Sequence, residues 1–172
     1  MVVDVNRSIG EGAIRRFFFM QIIGVSLFNS IINFSYTWWL WIDHSVVHMF
    51  DGVKVGYDLA GTPAVIAFLS TSLGTGSARK FFGKHREAIS QIELSSVWLR
   101  VPSNLMLRTI VATILAMVFF SLPLFGLLSI TAPQQLQPLE GCAAKVILTL
   151  IFSVIIVPCV LKAAFADARR TL

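Results

Sequence analysis

The chain has 172 residues, of which 56% are hydrophobic and 13% charged, and a formal net charge of +5 at pH 7. A soluble domain carries about 25% charged residues, so this composition cannot coat a water-soluble globule, and the length suits one domain. Nucleic-acid binding does not fit the positive balance, because no basic–aromatic motif accompanies the charges.

The first apolar run, residues 17–42, holds 26 positions without a charge. It predicts a membrane-spanning helix over about 16–42, since about 20 mostly apolar residues cross the hydrocarbon core. The run is too long for a signal-peptide core and no small-residue cleavage site follows it, so it is expected to stay as a helix. Arg15 and Arg16 precede it as headgroup anchors, and Trp38, Trp39 and Trp41 close it as an aromatic belt. Within it, Ser26, Asn29, Ser30, Asn33 and Thr37 form one polar stripe at 100° per residue. Such a stripe should avoid lipid, because an unpaired amide in hydrocarbon is costly. It is read first as helix-packing glue with amides bonding across helices, and alternatively as the lining of a path for a small solute. His44 and His48 follow; on a helix they would share a face and would suit a metal, a haem or a pigment. The plainer reading is two headgroup-level histidines.

The second span is predicted over about 59–80. Thr62 and Pro63 suit a helix start, with Asp58 as an alternative cap. Gly74 and Gly76 near its inner end would allow close approach or end the helix, and the spacing in residues 74–84 is not that of a phosphate-binding loop. Arg79 and Lys80 read as headgroup anchors. In the connection that follows, Ile89, Ile92 and Leu99 lie near one helical face, which suggests a short amphipathic helix on the inner membrane surface.

The third span, about 106–130, is entered through Pro102, Ser103 and Asn104 and contains Pro123. The fourth, about 143–165, contains Pro158; its apolar centre is flanked by Lys145 and Lys162, which would have to snorkel. Each internal proline is expected to kink its helix. Glu140, like Asp58, is placed as a helix-cap or outer-face acid. Thr109 with Thr113, and Thr149 with Ser153, repeat the polar pairing of the first span. Cys142 and Cys159 are 17 residues apart, about 25 Å along one helix, so they cannot bond to each other and read as small packing residues.

Of the 14 lysines and arginines, 12 fall on one side of this arrangement and only Lys54 and Lys145 on the other. The positive-inside rule then places both termini and the 79–108 connection in the cytoplasm of a cell (inner) membrane protein, facing anionic headgroups. The fold class is all-α: a four-helix transmembrane bundle of two in-out-in hairpins in a single domain, residues 1–172. A shift of 82 positions places Asp58 on Glu140 and Lys80 on Lys162, a faint trace of duplication.

Arg15 and Arg16, Asn29 and Asn33, the stretch from Asp58 to Phe82 and the closing residues 157–168 resemble uncharacterised bacterial four-helix membrane proteins loosely labelled permease-like. That resemblance implies the fold and no particular activity.

No nucleophile elbow or paired-carboxylate spacing is present, so no enzyme activity is read. No charge sits in the middle of a span, which argues against a self-contained proton-driven pump. The favoured reading is an accessory or scaffold subunit among other membrane-protein subunits. A small homo-oligomeric transporter or channel, and a haem- or pigment-binding subunit using His44 and His48, stay open beside it.

Overall fold

The computed structural model describes residues 2–51, 55–85 and 95–170, with side chains from residue 12 onward. Four long helices dominate it: α1 (Val2–Trp41), α2 (Val55–Lys84), α4 (Leu105–Thr131) and α5 (Pro138–Arg170). A single turn, α3 (Ser96–Leu99), precedes α4. All four long helices are long and apolar enough to cross a membrane, over 30, 30, 27 and 33 residues. At about 1.5 Å per residue each exceeds the ~30 Å hydrocarbon core. The chain is a multi-pass helical membrane protein.

Helices α2 and α5 form the centre, with α1 packed on α5 and α4 packed on α2. The buried share of an apolar 18-residue stretch in each span follows this order: 56% for α2 and 44% for α5, against 22% for α1 and 11% for α4. Small residues make the centre close. Ala60, Ala64, Ala67, Ser70, Gly74 and Ala78 are all buried on α2, and small side chains let helix backbones approach where lipid supplies no hydrophobic drive. The outward faces of α1 and α4 keep large apolar residues such as Phe28, Ile31, Met106 and Phe119 exposed, as lipid contact requires.

Three buried clusters run along the axis. One joins Ile14, Phe82, Leu161 and Phe165, so the first part of α1 and the last part of α5 share one end of the molecule. A middle cluster joins Ile66, Ala116, Phe152 and Ile156. The third joins Trp41, Val47, Val55, Leu59 and Cys142 at the other end. That end is closed by a feature absent from the sequence reading. Two two-residue strands, β1 (Val47–His48) and β2 (Gln135–Leu136), pair antiparallel and zip the α1–α2 loop to the α4–α5 loop. The Met49 amide extends the ladder by donating to the Gln134 carbonyl at 2.9 Å.

Several expectations change here. Helix α2 begins at Val55, so Thr62 and Pro63 lie inside it, and the Thr62 hydroxyl bonds back to the Asp58 carbonyl at 3.1 Å. Neither Gly74 nor Gly76 ends α2, which continues to Lys84. Ahead of Pro123, α4 widens into a π-turn, Met117–Ser121. A proline lacks the N–H and crowds the preceding turn, and a π-bulge accommodates both within a continuing helix. Pro158 lies inside α5, which continues past it to Arg170, as a kinked helix also does. The suggested surface helix before α4 falls mostly outside the described residues; its last turn is α3.

Trp41 departs furthest from its expected role. It is only 2% exposed, and it lies face to face with Gly141, where an added Cβ would come within 2.7 Å of the indole. Gly141→Ala should lower stability by about 1–3 kcal/mol through overpacking. Gly126→Ala, with open space around the site, should be neutral or slightly stabilising. Thermal unfolding in detergent distinguishes the two, and identical melting curves would remove Trp41 from its place against Gly141.

Candidate functional site

The strongest convergence of polar groups lies at the end shared by the α1 start and the α5 finish. Asp167 sits on the last turns of α5 among buried neighbours, its side chain 10% exposed. Three arginines meet it. Arg108, in the first turn of α4 after the Asn104 N-cap, reaches Asp167 Oδ1 at 2.6 Å. Arg79, near the end of α2, reaches Oδ2 at 2.6 Å through Nη2 and 2.8 Å through Nε. Arg170, one turn on, lies 3.5 Å from Oδ1.

The same arginines also hold the connection into α4. Arg108 Nε donates to the Pro102 carbonyl at 2.8 Å. Arg79 donates to the Ser103 carbonyl. Arg170 donates to the carbonyls of Leu99 and Val101, the latter at 2.8 Å. One carboxylate thus orients three guanidiniums, and these satisfy four loop carbonyls that have no helical partner. Fixed planar donors suit that dual task, because each guanidinium presents several N–H groups in a rigid fork. Among the described residues, Arg108 Nη1 is buried without a partner.

Above this cluster is a cavity of about 530 Å³ between α2, α4 and α5. Here α4 packs on α2 rather than on α5. Arg100, Pro102 and Arg108 line its floor, and its walls are nearly all apolar. Trp98 also lines it and carries Lys162 over its ring, the ammonium 5.7 Å from the centroid.

Toward the ribbon end, a second ion pair is buried. Lys145 Nζ lies 2.5 Å from Asp58 Oδ1 and donates to the Asp58 carbonyl at 2.9 Å. Its side chain is 3% exposed against 28% for Asp58. Lys145 therefore does not snorkel; it ties α5 to the first turn of α2.

All five stripe residues, Ser26, Asn29, Ser30, Asn33 and Thr37, are buried. Asn29 reaches both central helices, with Nδ2 3.5 Å from Ser70 Oγ and 3.4 Å from Ser153 Oγ. Asn33 and Thr37 differ from the across-helix pattern: they donate to the carbonyls of Asn29 and Asn33 on their own helix, at 2.8 and 2.7 Å. None of the five lines the cavity.

The remaining candidates fall apart spatially. α1 ends at Trp41, so His44 lies in a turn and His48 in β1, and the two share no helical face. Among the described residues no three His, Cys, Asp or Glu side chains are grouped to hold a metal ion. Arg15, Arg16, Lys80, Trp38 and Trp39 are exposed, whereas Arg79 is engaged with Asp167. Glu140 accepts from the Gln137 amide at 2.9 Å, the carboxylate half of a capping box at the start of α5. Cys142 is buried but Cys159 is exposed and lines the cavity. Asp167 was not singled out from the sequence, although it is the only acid in the last 30 residues. Comparison with protein-family models, curated proteins and solved structures returns no match.

Removing one partner of a buried ion pair costs about 3–5 kcal/mol, since the other is left uncompensated. Asp167→Ala should therefore destabilise the protein by about that amount, and Arg79→Gln by about 1 kcal/mol, because Arg79 is 37% exposed. Comparable losses from both, in detergent unfolding, would show that Arg108 is not the dependent partner. At the second pair the burden is asymmetric. Asp58→Leu strands a buried ammonium and should cost about 3–5 kcal/mol, whereas Lys145→Met leaves a carboxylate with access to water and should cost less. The double variant should recover most of the loss, read by the same unfolding measurement.

Proposed function

We propose that the chain is a non-catalytic accessory or scaffold subunit of a larger assembly in the cell inner membrane, with both ends of the chain in the cytoplasm. The observation that carries this reading is the use made of the polar groups in the spans. The α1 stripe is buried, with Asn29 reaching α2 and α5; the ion pairs brace helix ends; and the cavity beside Arg108 has nearly all apolar walls. A solute path needs polar groups along its length, and the stripe residues line no part of this cavity, whose polar lining is confined almost entirely to one end. The arginine-rich end favours the cytoplasmic side by the positive-inside rule.

Purification in mild detergent, with identification of co-migrating chains, tests this. A stoichiometric membrane-protein partner is the expected outcome. A chain that migrates only with itself, and that carries solute into liposomes, would replace the scaffold reading with the transporter one. In that case Asn29→Leu and Asn33→Leu should abolish flux while leaving the fold intact. For a packing stripe they should instead reduce folded yield.

A further inference from the structure

We infer that the cavity between α4 and α5 binds one acyl chain of an anionic phospholipid, with the headgroup phosphate against Arg100 and Arg108. This rests on the multi-pass membrane architecture and not on the scaffold proposal.

The cavity itself supplies the first argument. At about 530 Å³ it lies within the ~300–1,000 Å³ range of small-molecule sites. Its rim includes Leu115, Phe119 and Ile155, which are 50%, 65% and 44% exposed. These residues lie on the flank of membrane-spanning helices, so the opening faces hydrocarbon and not water. An occupant entering there is apolar along most of its length.

The charge at its floor supplies the second, independent argument. The Asp167 cluster sets three guanidiniums against one carboxylate. Arg108 is the innermost of them, its side chain 3% exposed, and its Nη1 has no partner among the described residues. Arg100 lines the same cavity and is exposed. Lys162, held over Trp98, stands beside it. A buried guanidinium nitrogen left without a partner among the described residues calls for an acceptor, and a guanidinium fork matches phosphate oxygens. An acyl chain places such a phosphate at the end of the helices where these cations lie. Basic pockets between spans on the positively charged side are suited to lipid phosphates. A zwitterionic headgroup would bring its own ammonium toward the same arginines and be disfavoured.

Native mass spectrometry of the purified full chain, titrated with phosphatidylglycerol or phosphatidylcholine of matched acyl chains, tests this. One phosphatidylglycerol should be retained at least about tenfold more tightly than phosphatidylcholine. Arg100→Gln, which removes an exposed charge without touching the Asp167 cluster, should weaken retention about fivefold, as one cation near a headgroup implies. Ala112→Phe and Cys159→Phe, each placing a ring at the cavity wall, should reduce phosphatidylglycerol retention with melting temperature unchanged. Equal retention of the two lipids would overturn the inference. So would full retention in both cavity-filling variants, which would reveal only diffuse attraction to the basic surface. Displacement of phosphatidylglycerol by equimolar oleate would identify a free fatty acid as the occupant and likewise reject it.

Discussion

The Asp167 carboxylate is the interaction on which one whole end of this protein depends. Backbone carbonyls drawn in against other groups need a partner, and the connection entering α4 carries four, from Leu99 to Ser103, that arginine side chains meet. Arginines supply the missing donors, but three guanidiniums drawn together would repel each other. Asp167 lies between them and makes their approach favourable. Removing the carboxylate thus removes both a charge partner and the organisation of the loop from Leu99 to Ser103. Helix α4 has little buried surface of its own, so its position relative to α5 relies on this attachment more than on packing.

The opposite end solves the same problem by different means. There the two loops satisfy their backbone groups on each other, through β1 and β2. Lys145 and Asp58 brace α5 against α2, and Trp41 fills the space above Gly141. Helix pairing has a matching regularity: α1 on α5 corresponds to α4 on α2 if the first hairpin is laid on the second, and the α2–α5 pair maps onto itself. The strand pair maps onto itself as well. This order of contacts is what two equivalent hairpins related by a two-fold axis would produce, and it carries more weight than the few sequence coincidences at a shift of 82.

The four spans were legible because hydrocarbon imposes a strong rule: long charge-free runs have few alternatives. The inward placement of Asn29 was legible for the same reason, since an amide has no partner in lipid. What was not legible depended on distance along the chain. Asp167 meets Arg108 across 59 positions and Arg79 across 88, and no local pattern marks such a pair. Counting the arginines as a topology signal also concealed their second use, because one side chain can serve both. The ribbon escaped notice because two-residue strands show no alternation. Trp41 was misassigned with Trp38 and Trp39 because all three close one helix. Helical rotation turns Trp41 onto the same buried face as Thr37, while Trp38 and Trp39 point outward.

The contrast between the two ends bears on where function lies. At the ribbon end, Lys145 is paired with Asp58, the two loops bond through β1 and β2, and Trp41 fills the space above Gly141. At the basic end, three arginines surround Asp167, the buried Arg108 keeps one nitrogen without a partner among the described residues, and a cavity stands beside it. Neither feature is explained by stability alone. A better-filled wedge between α4 and α5 would pack more tightly, and fewer arginines would lower the electrostatic cost. Both features become intelligible together if an apolar molecule with an anionic head completes this end, supplying the missing contacts to the walls and the missing charge to the floor.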